Sequence, residues 1–231
     1  MMIRLLLTAL GVLALPAASP AADYGALLAE AIERITWEYP ENLAFTETRH
    51  SGESTLVSRY DPRRDDGERW SLVSVDGREP SSDEIDEFLE KRRERRGFIF
   101  GDDDDGPGSI VGDESLELIE ESDAHWLLGF VPTGDDDKED RFLEKLRGTL
   151  RIAKDGGYLE YLDISATEPV SPAMGVKIRD FNTRFEFAPV AGDGPVLPVA
   201  FRTRVKGRAF LAMSFDEAEA VEFSDFENVG E

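Results

Sequence analysis

Strict alternation of apolar and charged residues near the C-terminal end does most to fix what this chain can fold into. Val199, Phe201, Thr203 and Val205 interleave with Arg202, Arg204 and Lys206, the period of two that sends one set to each side of a strand. Clean alternation of this kind builds antiparallel sheet with one buried and one wet face. The wet side of this strand is expected to pair with Glu186, Glu219 or Glu222 on its neighbours.

Earlier segments carry the same signature. Leu43 to His50 and Ser54 to Tyr60 flank the turn Ser51-Gly52-Glu53, and Trp70 to Val75 follows. Leu116 to Glu121 and His125 to Val131 form a pair, and Thr149 to Ala153 turns at Asp155-Gly156 into Tyr158 to Ile164. Ala209 to Phe215 and Ala218 to Phe226 read as two further strands. Between Gly175 and Ala188 the phase slips. Val176 and Ile178 are apolar on even numbers, but Phe181, Phe185 and Phe187 on odd ones. One extra residue near Arg179-Asp180, a β-bulge, reconciles the two halves.

Three helices are expected around this sheet. Asp23 caps a segment to about Trp37, with Tyr24, Leu28, Ile32 and Ile35 on one apolar stripe and Tyr39-Pro40 as its stop. Ser81 and Glu84 form a capping box that opens a second helix to about Arg95, with Ile85, Phe88 and Leu89 inward. Its basic end (Lys91, Arg92, Arg93, Arg95, Arg96) matches the helix dipole, or alternatively offers a site for an acidic ligand. Asp137 to Leu146 is the third, burying Phe142, Leu143 and Leu146 and ending near Gly148. No βαβ rhythm and no internal repeat are visible. The fold class is therefore α+β, mainly antiparallel β: a strongly curved sheet or half-open barrel with about three covering helices.

The N-terminus reads as an export signal over residues 1–21. Arg4 precedes the apolar run Leu5 to Leu15, too short to span a bilayer, and Ser19-Pro20-Ala21 supplies small residues for cleavage. Residues 22–231 then form one β-rich domain, expected to be soluble, periplasmic and monomeric. The chain has no cysteine, so neither a disulfide nor a thiolate metal site is available and packing must hold the fold. Hydrophobic residues make up 41% of the chain, enough for a sizeable core. Lys and Arg number 26 against 49 Asp and Glu, for a net charge of −23. That balance repels nucleic acid and anionic membrane surfaces, and also suits a saline habitat.

Catalytic and metal-binding patterns are missing. His50 and His125 are the two histidines and share no element at ligand spacing. Asp102 to Asp105 before Gly106 puts glycine at both the first and twelfth positions of a calcium-hand loop, where carboxylates belong, and Asp135 to Asp137 fits no better. Neither a Gly-x-Ser-x-Gly elbow nor a phosphate-binding glycine loop occurs. An enzyme is not expected, nor a cofactor, nor a metal.

The layout resembles the LolA-like periplasmic outer-membrane lipoprotein carriers. The suggestive stretches are Arg59-Tyr60-Asp61-Pro62, Gly67-Glu68-Arg69-Trp70-Ser71-Leu72, Ser74-Val75-Asp76-Gly77-Arg78-Glu79-Pro80, Ser171-Pro172-Ala173-Met174, Leu197-Pro198 and Val205-Lys206-Gly207-Arg208-Ala209. The resemblance implies a half-open barrel, lidded by helices, that holds acyl chains against aromatic and aliphatic side chains. Its expected partner is a lipid, an acylated protein or another hydrophobic ligand. Phe185, Phe187, Phe201 and Val205 share a phase within two late strands, so they are the candidate ligand-binding residues if that side is a cavity, and core if it is packed. The alternative reading is an envelope interaction or sensing module whose acidic surface meets a basic polypeptide.

Overall fold

Asp23 caps the first helix as its sequence predicts, its carboxylate accepting the Ala26 N–H at 3.1 Å. The computed structural model describes residues 23–93, 97–98, 110–111, 115–133, 143–172, 174–192, 194–210 and 213–230. The expected export signal and the Asp102–Asp105 and Asp135–Asp137 runs lie outside these residues. The elements are α1 (Tyr24–Glu33), β1 (Leu43–Ser51), β2 (Ser54–Tyr60), β3 (Trp70–Val75), α2 (Ser82–Arg93), β4 (Glu117–Glu121), β5 (His125–Phe130), β6 (Leu146–Ala153), β7 (Leu159–Ala166), β8 (Val176–Pro189), β9 (Val196–Ala209) and β10 (Met213–Asn228).

All ten strands form one antiparallel sheet in the order β3-β2-β1-β10-β9-β8-β7-β6-β5-β4. Every neighbour but one is also a neighbour in sequence. The exception is β1 on β10, which joins Leu43 to Asn228 across nearly the whole chain. β3 and β4 are free edges, so the sheet is open. The expected mainly antiparallel α+β architecture is present, with two helices among the described residues instead of three. Of the expected third helix, residues 137–142 lie outside the described residues, and Leu146 opens β6 instead.

α1 ends at Glu33, short of the expected Trp37, and two further boundaries differ from the sequence reading for local reasons. Gly148, read as a helix stop, sits inside β6, where a Cβ would overlap the Phe130 ring lying across the strand. The segments split at Asp216-Glu217 form the single strand β10, because Asp216 is neutralised by Arg204 and Lys206 on β9 (3.3 and 3.1 Å). The chain turns earlier, at Phe210, whose φ of 49° is left-handed. The expected bulge is present: the β8–β9 register shifts between Ile178 and Asp180, and again between Glu186 and Phe187.

One face of the sheet is covered. Because β3 and β4 stand at opposite edges, the chain between them must cross the sheet, and it does so on this face. Gly97 bridges to Glu38, and the Phe98 N–H bonds to the Trp37 carbonyl at 3.0 Å. A Cβ at Gly97 would lie 2.7 Å from that carbonyl oxygen, so the crossing requires glycine. The segment after α1 runs over the same face, with Ile35 bridged to Val196. Two apolar clusters fill the space beneath. One joins α1 to β5–β8 through Leu28, Leu128, Leu150, Leu162 and Phe185. The other is aromatic, with the rings of Tyr39, Tyr60, Trp70, Phe98 and Phe223 all in contact with that of Phe45.

The opposite face is wet and charged. Arg202 bridges Glu186 at 3.0 Å and Glu222 at 2.8 Å, as the alternation predicts. Glu219 is not part of this ladder; it faces the covered side.

Candidate functional site

Opposed residues in an antiparallel sheet point to the same side, so register turns one row of the covered face into a map. Val75, Leu56, Arg49, Val221, Phe201, Phe185, Leu162, Leu150, Leu128 and Leu118 stand opposite one another, strand by strand, across all ten strands. Nine are apolar. The single charge is Arg49.

Arg49 lines a cavity of about 270 Å³ under α2, together with Glu47, Leu56, Ser58, Phe88, Lys91 and Arg92. This size is just below the ~300–1,000 Å³ of small-molecule sites. Among the described residues, three polar or charged side chains are buried: Glu47 at 2% exposure, Ser58 at 2% and Arg92 at 8%. All three line this cavity. Buried charge is costly unless paired, and here it is paired closely. Arg92 Nη2 donates to Glu47 Oε1, and Nη1 to the Tyr39 hydroxyl at 3.4 Å. Arg49 Nε reaches the same Glu47 oxygen at 3.4 Å, while its Nη1 donates to Glu219. The Arg92 guanidinium also lies over two rings, 4.0 Å from the Trp70 centroid and 5.2 Å from that of Phe88, a geometry open to a planar cation.

Local sequence explains the placement. In β1, Phe45, Glu47 and Arg49 share the inward phase, so a carboxylate and a guanidinium follow an aromatic onto the covered face. In α2, Ile85, Phe88, Leu89 and Arg92 recur at helical spacing, which carries Arg92 inward with the apolar stripe. The capping box fixes where α2 starts: the Ser81 N–H bonds to Glu84 at 2.8 Å and the Glu84 N–H to the Ser81 hydroxyl at 3.4 Å. The hydrogen-bonded ion pair with Arg78 holds the Glu84 carboxyl at about 2, well below its usual value. Sequence reasoning missed Glu47 and Arg92 as a pair. The available signal was a carboxylate in the inward phase of β1 and an arginine in the inward stripe of α2.

The four residues singled out from sequence lie on the same covered side. Phe201 opposes Phe185, with ring centroids 4.9 Å apart, and Val205 opposes Phe181. Phe185 and Phe187 are buried in the α1-side cluster, and Trp37 packs edge-on against Phe187 at 5.6 Å. Phe201 touches both clusters, and Val205 is half-buried. None of the four lines the cavity under α2. Phe201 lies two strands from Arg49 along the register row, about 10 Å at the usual interstrand spacing.

A second, wider cleft of about 580 Å³ lies among the turns beside Arg34, Asp155, Tyr158, Glu160 and Gly192. No buried charge lines it. His50 and His125 are far apart in the strand order and bond locally, to Thr55 at 2.9 Å and Ser122 at 3.2 Å. Among the described residues no group of His, Asp or Glu side chains could hold a metal ion, and no helix is long and apolar enough to cross a membrane. Comparison with known proteins returns no family model, curated protein or solved structure that matches the chain.

Proposed function

We propose that this chain is an exported, periplasmic, LolA-like binding protein or carrier for a lipid, an acylated protein or another hydrophobic ligand, acting without catalysis. The observation that carries the reading is the cavity under α2, where apolar walls from Leu56 and Phe88 meet the only buried charged groups among the described residues. Apolar walls with a few placed polar groups are what small-molecule sites share. The charges orient a ligand's polar end, and half-buried Phe201, which stands between the core residues Val221 and Phe185 on the register row, offers the apolar contact beyond it. Val205, also half-buried, extends that contact along β9, whereas Phe187 is packed core beneath Trp37. Each methylene a ligand buries there contributes ~0.8 kcal/mol.

Displacement of a fluorescent fatty-acid probe, beside native mass spectrometry of protein extracted gently from its host, tests the reading. Wild type is expected to bind the probe and to carry lipid. Leu56→Trp, which fills the cavity, is expected to weaken the probe tenfold or more. No copurifying lipid and no probe binding by folded wild type would refute it.

A second reading is favoured by β4. Every residue of this edge strand is exposed, Leu118 and Ile119 among them, and its outer side pairs with no further strand among the described residues. An extended polypeptide could add there as an eleventh strand, with Glu117 and Glu120 favouring a basic one. Crosslinking from Ile119 in cells distinguishes this from ligand carriage: a single protein partner, lost at high salt, with no lipid bound, would replace the first reading.

A further inference from the structure

The far end of the long β8–β9–β10 strands inverts the character of the molecule. Met174 is 96% exposed, Phe210 74% and Met213 66%, three of the six large hydrophobic side chains exposed among the described residues. They form one tip. Met213 opposes Ala209, which in turn opposes Val176. The Phe210 N–H bonds to the Gly175 carbonyl at 2.7 Å. Gly175 has φ +82°, and a Cβ there would lie 3.2 Å from the Phe210 ring, so glycine lets the ring pack against the neighbouring loop.

The charge inverts at the same place. Lys177 and Arg208 stand opposite each other one step inside the tip, with Ser214 as the next residue across the sheet. Neither has an ion-pair partner among the described residues, and nor does Arg179 in the adjoining bulge. Farther in, Arg204 and Lys206 share Asp216. This end thus carries five cations against three anions, Asp180, Asp216 and Glu217, in a chain of net charge −23.

We propose that this tip docks end-on to the surface of a bilayer containing anionic phospholipid. Met174, Phe210 and Met213 would enter the boundary between headgroups and acyl chains, with Lys177, Arg179 and Arg208 on phosphates, the arrangement of interfacial anchors. Three protruding side chains at a strand end are too few for a protein interface, which needs ~20–30 residues a side, but suffice for weak, reversible partitioning. The negative remainder of the molecule excludes other orientations, so the overall acidity forbids general adhesion while permitting this one. A strand of 14 residues is roughly 46 Å long at ~3.3 Å per residue, so the tip can approach while the acidic body stays back.

This geometry predicts an unusual salt dependence. At about 0.01 M salt the Debye length is ~30 Å and the whole molecule's charge opposes docking; near 0.1 M it is ~10 Å and the tip's own cations dominate; at 1 M it is ~3 Å and their attraction fades. Flotation with phosphatidylcholine vesicles, with and without phosphatidylglycerol, tests it, using protein as recovered from cells and every variant in the same form. Wild type is expected to float with the phosphatidylglycerol vesicles most strongly near 0.1 M salt. Lys177→Ala/Arg208→Ala is expected to weaken this about fivefold per charge, with the difference gone at 1 M. Phe210→Ser/Met213→Ser is expected to abolish flotation at every salt while its melting temperature, and probe binding in the cavity, stay at wild-type values. Wild type that never floats, that floats equally without phosphatidylglycerol, or that floats no better than either variant would overturn the inference. The proposal stands apart from the ligand reading, because tip and cavity variants are read by different assays.

Discussion

At the residue scale, the Glu47–Arg92 pair decides between structure and ligand as the reason for a buried charge. Removing one partner leaves the other buried with fewer bonds, so Arg92→Ala is expected to destabilise the fold by about 3–5 kcal/mol, measured by urea unfolding. Replacing both with apolar residues of similar volume, as in Glu47→Leu/Arg92→Met, is expected to restore stability to the wild-type value or above. If the pair serves a ligand, the restored protein will nevertheless bind the fatty-acid probe poorly. Equal probe binding in the double variant would assign the pair to packing alone. A different kind of charge sits at Glu84. Its hydrogen-bonded ion pair with Arg78 holds its carboxyl at about 2, against 4.5 for the free group. A folded-state value below the unfolded one stabilises above pH ~4.5 and loses that contribution as pH falls towards 2. Stability curves of wild type and Glu84→Gln should therefore lie apart at neutral pH and converge between those limits. Curves that keep a constant separation down to pH 2 would remove Glu84 from the acid response.

At the element scale, β6 shows how a strand depends on a residue that reads as its breaker. Phe130 on β5 lies across Gly148 on β6, filling the space a side chain would need. Gly148→Ala must push the ring from a buried site, which is expected to cost about 1–3 kcal/mol. Phe130→Leu in the same chain should recover part of that loss, and a thermal melt of the three variants checks it. The same feature explains what the sequence could reveal. Strands with a buried and a wet face were legible because alternation is a local signal, and the bulge at Arg179-Asp180 was legible as a break in that signal. Caps at Asp23 and Ser81 were legible because their partners lie three residues away. Gly148 was not, because its reason is a ring on another strand. Asp216 was not, because its neutralising cations sit across β9. Glu47 was one carboxylate among 49 acidic residues, and nothing local marked Arg92, 45 positions away, as its partner.

At the scale of the whole molecule, one pairing determines how the sheet is assembled. The strands β4 to β10 and β1 to β3 are each a local meander, and only β1 on β10 joins them, with Leu43 opposite Asn228. That junction closes a loop of about 185 residues, and closure entropy grows as ~(3/2)RT ln n. It also requires the last strand synthesised before the first can be placed. The start of β1 and the end of β10 are held together: the Val229 N–H bonds to the Asn42 carbonyl at 2.8 Å. A circular permutant opened within residues 101–109, with a flexible linker from Glu231 to Asp23, would keep every strand pair while shortening the β1–β10 loop to a few tens of residues. The saving is about 2 kcal/mol of closure entropy. If β1–β10 pairing forms in the transition state, refolding should accelerate roughly tenfold or more, with unfolding rates little changed. If instead the permutant refolds at the wild-type rate but unfolds more slowly, the junction forms after the barrier. The rate-limiting structure is then the β4–β10 meander alone, and the N-terminal strands dock onto a sheet that is already built.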